Sequence, residues 1–245
     1  GVQAILPFIH KKIVTYGFSR QADVQARDID MQGFSSSYDL LFKEYKLGRI
    51  SLKVTGKHNI QNSLLAASIG LELDIPFPAI QDALSKFSGV SRRFDLKGEA
   101  GGITVYDDYA HHPTEIMATL EGFKDSAKRR IVTLFQPHLF SRTRDFYKEF
   151  GKSFFSCDCL ILAPVYPARE QPIPGVSSKL IADAAIQSGH HNVHLIESNS
   201  EIVSQTLALL KEGDILITMG AGNIWQYGEE ILRQLKNYVD TNHKQ

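Results

Sequence analysis

The chain has 245 residues, 43% hydrophobic and 22% charged, which are the proportions of a folded globular protein and set aside disordered and collagen-like classes. Its 27 basic residues balance its 27 acidic ones, so no net field draws it to nucleic acid or to an acidic membrane surface, and any anion site must be local. No apolar run approaches the roughly 20 residues of a membrane span and no charged-then-apolar leader opens the chain, which predicts a cytoplasmic protein.

Two modules are expected at this length. The chain opens on Gly1, and Val2 to Phe8 reads as the interior of a domain, so a piece of a longer protein is expected. Short strand-like runs follow at Ile13–Tyr16, Val24–Ile29 and Ile50–Val54, then helices over Asn59–Leu71 and Pro78–Phe87. Gly89, just before Arg92 and Arg93, marks the junction. The expected domains are 1–93 and 94–245.

Beyond the junction the pattern is regular. Strands are predicted at Ile103–Tyr106, Ile131–Phe135, Leu160–Val165, Val193–Ile196 and Ile215–Met219. Helices are predicted from Pro113, over Asp145–Phe155, Ser177–Ser188, Ser200–Leu210 and Ile224–Tyr238, with Ser177 and Asn199 as N-caps and Gly189 and Gly213 as stops. Strand and helix alternating in this way imply a Rossmann-like, mostly parallel sheet with right-handed crossovers. Cys157 and Cys159 fall on one face of a strand, and buried thiols are expected rather than a disulfide or metal site.

Five segments could carry chemistry. Gly56-Lys57-His58-Asn59-Ile60-Gln61-Asn62 puts two carboxamides on one face of a helix start, suited to an adenine edge or a phosphate, although Asn59 could simply cap the helix. In Gly89-Val90-Ser91-Arg92-Arg93-Phe94-Asp95 an arginine could grip phosphates, or both could be surface charge. Asp107-Asp108-Tyr109-Ala110-His111-His112-Pro113 sets two carboxylates and two imidazoles between a strand end and a helix start. Ligands of parallel sheets collect at such strand ends, where a carboxylate can accept from a ribose and His111 can face an anion. Adjacent side chains on a strand point to opposite faces, which argues against a closed metal site there. Gln136-Pro137-His138 with Ser141-Arg142-Thr143-Arg144 concentrates positive charge beyond another strand, suited to a carboxylate or an acyl phosphate, with pairing to Asp145 and Glu149 as the plain alternative. Gly220-Ala221-Gly222-Asn223 lacks the third glycine of a dinucleotide loop, and close packing of strand on helix is its expected local role.

Taken together and in this order, Gly-x-His-Asn-x-x-Asn, Gly-Val-x-Arg-Arg-Phe, Asp-Asp-Tyr-Ala-His-His-Pro-Thr-Glu, Phe-Gln-Pro-His, Ser-Arg-Thr-Arg-Asp and Gly-Ala-Gly-Asn resemble the Mur ligase family. The Asp-Asp-Tyr-Ala-His-His-Pro-Thr-Glu and Gln-Pro-His segments, with Val165-Tyr166-Pro167-Ala168 and Pro172-Ile173-Pro174-Gly175, resemble its UDP-N-acetylmuramate:L-alanine ligase (MurC) branch. The resemblance implies the last third of a central ATPase domain followed by a Rossmann-like ligase domain. The family's Gly-Lys-Thr phosphate loop and the residues that bind its magnesium ions have no counterpart in these 245 residues, so the fragment alone is expected to be inactive.

Carried over residue by residue, the resemblance puts Asn62, with Asn59 nearby, at the adenine side of ATP, Arg93 on its phosphates and Asp108 on its ribose. His138, Arg142 and Arg144 would face the amino acid or the muramoyl carboxyl, with Gly222 and Asn223 lining the same cleft, and His111 would join His138 and Arg142 among the catalytic groups. Leu139 stands where the family often has arginine. The implied reaction is ATP-driven ligation of L-alanine to UDP-N-acetylmuramate through an acyl phosphate. The alternatives are a peptide-recycling sister ligase, a non-catalytic nucleotide or amino-acid binding module, and a metal hydrolase built on Asp107, Asp108, His111 and His112. An incomplete central domain would also expose a sheet edge or apolar face and so favour a homodimer.

Overall fold

A computed structural model describes residues 8–33, 35–87 and 89–242, the last four of these by backbone alone. The opening segment read above as domain interior lies, up to Pro7, outside the described residues. The chain divides into two compact units, Gly1–Ser88 and Gly89–Gln245, so Arg92, Arg93 and Phe94 go with the second.

The first unit is a four-stranded sheet covered by two helices. Its elements are β1 (Tyr16–Gly17), β2 (Val24–Gln32), β3 (Ser35–Phe42), β4 (Tyr45–Leu52), α1 (Lys57–Glu72) and α2 (Phe77–Lys86). The strands lie in chain order; β1 and β2 are parallel, the other pairs antiparallel. Strand alternation sends Val24, Ala26, Tyr38, Leu40, Ile50 and Leu52 inward, where Ile60, Leu64 and Ala67 of α1 and Ile80 of α2 close the core. β3 was not expected, because its serines hide the alternation of Ser36, Tyr38 and Leu40, all buried. The opposite face of α1 leaves Leu65 and Ile69 exposed, and Leu73 just past its end continues them, a stripe at spacings of four.

The second unit holds β5 (Asp95–Ala100), β6 (Ile103–Asp108), α3 (Pro113–Ser126), β7 (Ile131–Phe135), α4 (Phe140–Ser153), β8 (Cys159–Leu162), α5 (Lys179–Gln187), β9 (Val193–Leu195), α6 (Ile202–Leu209), β10 (Ile215–Met219) and α7 (Ile224–Asn242). Its sheet runs β5-β6-β10-β7-β8-β9. All pairs are parallel except β5 with β6, as the Rossmann-like expectation requires apart from that added antiparallel edge. β10 therefore sits between β6 and β7, and its five residues are all buried. Inserting it there makes a topological switch point, and the carboxyl ends of β6, β10 and β7 open on one crevice.

Several helix starts differ from expectation. α4 begins at Phe140 rather than Asp145, because a distant group caps it: Glu170 accepts hydrogen bonds from the backbone N–H and hydroxyl of Ser141, while the carbonyl of Leu139, the residue before the helix, accepts two from Thr143. α1 begins at Lys57 after Gly56, so Asn59 is inside the helix rather than its cap. α5 follows Ser178 rather than Ser177, and Asn199 opens a short 3-10 turn capped by Ser198. Gly189 and Gly213 have φ of 100° and 92° at the expected stops. Cys157 and Cys159 are free and buried, and burial pushes the Cys157 thiol up to about 12.

Candidate functional site

Four strand ends of the second unit build the candidate site. β7 runs into Gln136, Pro137 and His138, and the backbone ladder continues past its end, with Gln136 N–H donating to Met219 O at 2.9 Å. Tyr166, beyond β8, is clamped to the same segment: its N–H donates to Pro137 O at 2.8 Å, and its carbonyl accepts from Leu139 N at 2.9 Å. The Tyr166 ring stacks on His138 with centroids 5.7 Å apart and planes 15° apart. Leu139 turns the chain with φ 74° into α4, which carries Arg142.

The glycine loop after β10 packs against this segment. A Cβ on Gly220 would lie 2.6 Å from Gln136 O, and one on Gly222 would lie 2.5 Å from Gln136 Oε1 and 2.7 Å from the Tyr166 ring. Close approach is what those two glycines permit, and Asn223 accepts from Gln136 Nε2 at 3.3 Å.

His138 Nδ1, Arg142 Nη1 and Gln136 Oε1 are buried and have no hydrogen-bond partner. Buried polar groups are nearly always paired, so three orphans in one segment make it the candidate place for a ligand to supply the partners. Two of them can donate, which suits an anionic or carbonyl oxygen. Burial, then the charges of Arg142 and His111, hold the His138 pKa below its ordinary value, so its imidazole is neutral at pH 7.

His111 faces the same cluster, its ring 6.3 Å from that of His138. Its Nδ1 lies 2.9 Å from Tyr109 O and 3.3 Å from a Glu115 oxygen. Nδ1 is therefore the donor and Nε2 the outward position. Glu115 also accepts from the backbone of His111 and His112 at the start of α3.

The remaining expected residues divide. Asp108 is 4% exposed, and both its oxygens accept backbone hydrogen bonds, from Phe94 at 3.0 Å and Ala110 at 2.8 Å. That geometry gives Asp108 a bracing task beside the ribose contact expected above, for which each oxygen keeps a further lone pair; burial raises its pKa. Arg144 is exposed and bonded to Asp145 at 2.7 Å, on a different helix face from Arg142, so the plain alternative of surface pairing describes it. Arg93 is exposed, and its side chain makes no hydrogen bond or ion pair among the described residues. In the first unit, Asn62 is exposed, while Asn59 donates from Nδ2 to Thr55 O at 2.8 Å. Among the described residues no group of three or more His, Cys, Asp or Glu could hold a metal ion.

Three participants escaped the sequence. Tyr166 and Gln136 lie inside quoted motifs, but their roles depend on contacts between strand ends. Arg92 looked like surface charge, yet its side chain is only 18% exposed and pairs with Asp107, which is fully buried.

Residues 92–222 match the Mur ligase, glutamate ligase domain, and residues 2–70 match the Mur ligase middle domain. The chain belongs to the Mur ligase family. This Mur ligase chain is 44% identical over 236 residues to UDP-N-acetylmuramate--L-alanine ligase of Trichlorobacter lovleyi, covering 96% of the chain and 52% of that protein. It is 45% identical over 241 residues to the ligase of the same name from Salinibacter ruber, covering 97% and 50%. Among solved structures, UDP-N-acetylmuramate-alanine ligase from Thermotoga maritima superposes with a TM-score of 0.76 at 23% identity, covering 92% of the chain and 48% of that structure, a likeness of fold. A murein peptide ligase from Psychrobacter arcticus gives 0.63 at 25% identity over 91% and 46%. The chain spans about half the length of the curated relatives it matches. No described helix is long and apolar enough to cross a membrane.

Proposed function

We propose that this Mur ligase chain is part of a cytoplasmic enzyme that uses ATP to join L-alanine to UDP-N-acetylmuramate in making peptidoglycan precursors. The observation that carries the reading is the set of unpaired donors on His138 and Arg142, beside His111, in a chain whose relatives bear that name. In this reading the substrate carboxylate is activated as an acyl phosphate, which the amine of L-alanine attacks. Arg142 and the neutral His138 hold the carboxyl or phosphoryl oxygens in place and stabilise the charge that develops on them. Nε2 of His111 offers a proton acceptor for the incoming amine. Gly222 and Asn223 close the same cleft.

Arg93 is free to meet the phosphates of ATP, while Asn62 and the Oδ1 of Asn59 suit an adenine edge. Magnesium would neutralise phosphate charge when bound, but the described residues do not make a magnesium site, so its ligands are assigned to the part of the ligase outside this chain. So is the phosphate loop, and the chain alone is expected not to ligate. The exposed apolar stripe Leu65, Ile69 and Leu73 offers a surface for pairing of two copies, and sedimentation velocity in dilute solution should then show a dimer that a Leu65→Glu, Ile69→Glu variant loses.

The deciding experiment uses the full-length ligase containing this chain. Phosphate release should require UDP-N-acetylmuramate and L-alanine together, and Arg142→Ala should lower kcat/KM by roughly a hundredfold or more, as loss of a charge-stabilising donor does. Preference for a tripeptide over L-alanine would transfer the reading to the murein peptide ligases.

A further inference from the structure

Arg92 and Phe94 have φ of 62° and 47°, left-handed conformations that are strained for an L-residue and persist only when the surroundings over-determine them. Here they do. Arg92 N–H donates to Asp95 Oδ2 at 3.0 Å, Arg92 O accepts from Tyr109 N at 2.6 Å, and Phe94 N–H donates to Asp108 Oδ2 at 3.0 Å. The turn is thus fastened to the end of β6.

The Arg92 side chain reaches further. Its Nε donates to Asp107 Oδ2 at 2.8 Å, its Nη2 to Gly220 O at 2.6 Å and its Nη1 to Gly222 O at 3.2 Å. The guanidinium also lies 5.0 Å from the centre of the Tyr109 ring. Thr218 donates to the other Asp107 oxygen at 2.7 Å, so both oxygens of the buried carboxylate are paired. Charge neutralisation of Asp107 would need only a cation. Holding two carbonyls of the loop after β10 as well requires several donors in one rigid plane, which arginine has and lysine lacks.

We propose that Arg92 is a positioning residue of the ligase site, its guanidinium fixing Gly220 and Gly222, and so Asn223 against Gln136, while its strained turn presents Arg93 to solvent. The catalytic part of this proposal rests on the ligase reading above; the loop-holding part does not.

The test is Arg92→Lys, which keeps a positive charge beside Asp107. In the chain itself, amide hydrogen exchange should speed up by about tenfold or more at Gly220, whose N–H is bonded to Asp108 O at 3.2 Å, with Val105 and Leu216 in the neighbouring strands unchanged. In the full-length ligase, kcat should fall by about tenfold or more with KM for ATP within about twofold of wild type. Wild-type exchange at Gly220 together with wild-type kcat would mean that Arg92 only neutralises Asp107, and the proposal would be overturned. If Arg92→Lys does not fold, the double variant Arg92→Gln with Asp107→Asn, which removes both charges of this pair together, is read in the same way. A wild-type ligase without L-alanine-dependent turnover would remove the ligase reading, and the exchange comparison would still decide whether Arg92 holds the loop.

Discussion

His138 feels three charged neighbours, which do not all act in the same direction. Arg142 and His111 oppose its protonation while Glu170 favours it, with burial the largest influence. A histidine whose folded pKa lies below its unfolded value of about 6.5 favours the native state when neutral, and that contribution is lost as pH falls through the folded value. Arg142→Gln should therefore move the His138 titration upward and weaken the loss of stability below about pH 6.5, which histidine NMR titration and acid-side melting would read; an unmoved titration would mean that Arg142 does not act on the ring. Gly222 makes a second claim. Gly222→Ala should cost about 1–3 kcal/mol through overpacking against Gln136 and Tyr166, whereas Gly189, with nothing within 4 Å of an added Cβ, meets no such clash. His138 and Arg142 were legible in the sequence because they sit four residues apart in one basic segment. Arg92 was not, because its partners Gly220 and Gly222 approach it only after β10 is inserted beside β6.

Elements were legible where their own residues carried the pattern. The buried strands β6, β7, β8 and β10 announce themselves as apolar runs, and α7 as a long amphipathic stretch. β5, with the sequence Asp-Leu-Lys-Gly-Glu-Ala, carries no such signal: it is an edge strand that needs only one partner. The α4 start was hidden because its caps come from Glu170, far along the chain. Asp108 shows the same dependence, since its carboxylate terminates β6 by accepting from Phe94 and Ala110. Asp108→Asn would turn a donor toward one of those N–H groups and should destabilise the second unit by ~1–3 kcal/mol, measured by urea unfolding. A neutral result would make the bracing role dispensable.

For the whole molecule, two compact units imply two cores that fail separately. Tyr38 is fully buried in the first, with its hydroxyl 2.8 Å from Ser63 Oγ. Tyr38→Phe should remove ~0.5–1.5 kcal/mol from the first unit alone, so one of two calorimetric transitions should move and the other stay; a single shifted transition would show the cores to be coupled.

The place of β10 has a consequence for how the protein is made. Synthesis runs from the N-terminus, so β6 and β7 emerge long before the strand that must lie between them, and each waits with an open edge of unpaired backbone. The second unit cannot close its sheet until Ile215–Met219 has left the ribosome. A nascent chain cut short before that point would lack the glycine loop and the partner of both strands at once, leaving a product prone to aggregation rather than a weakened binding protein.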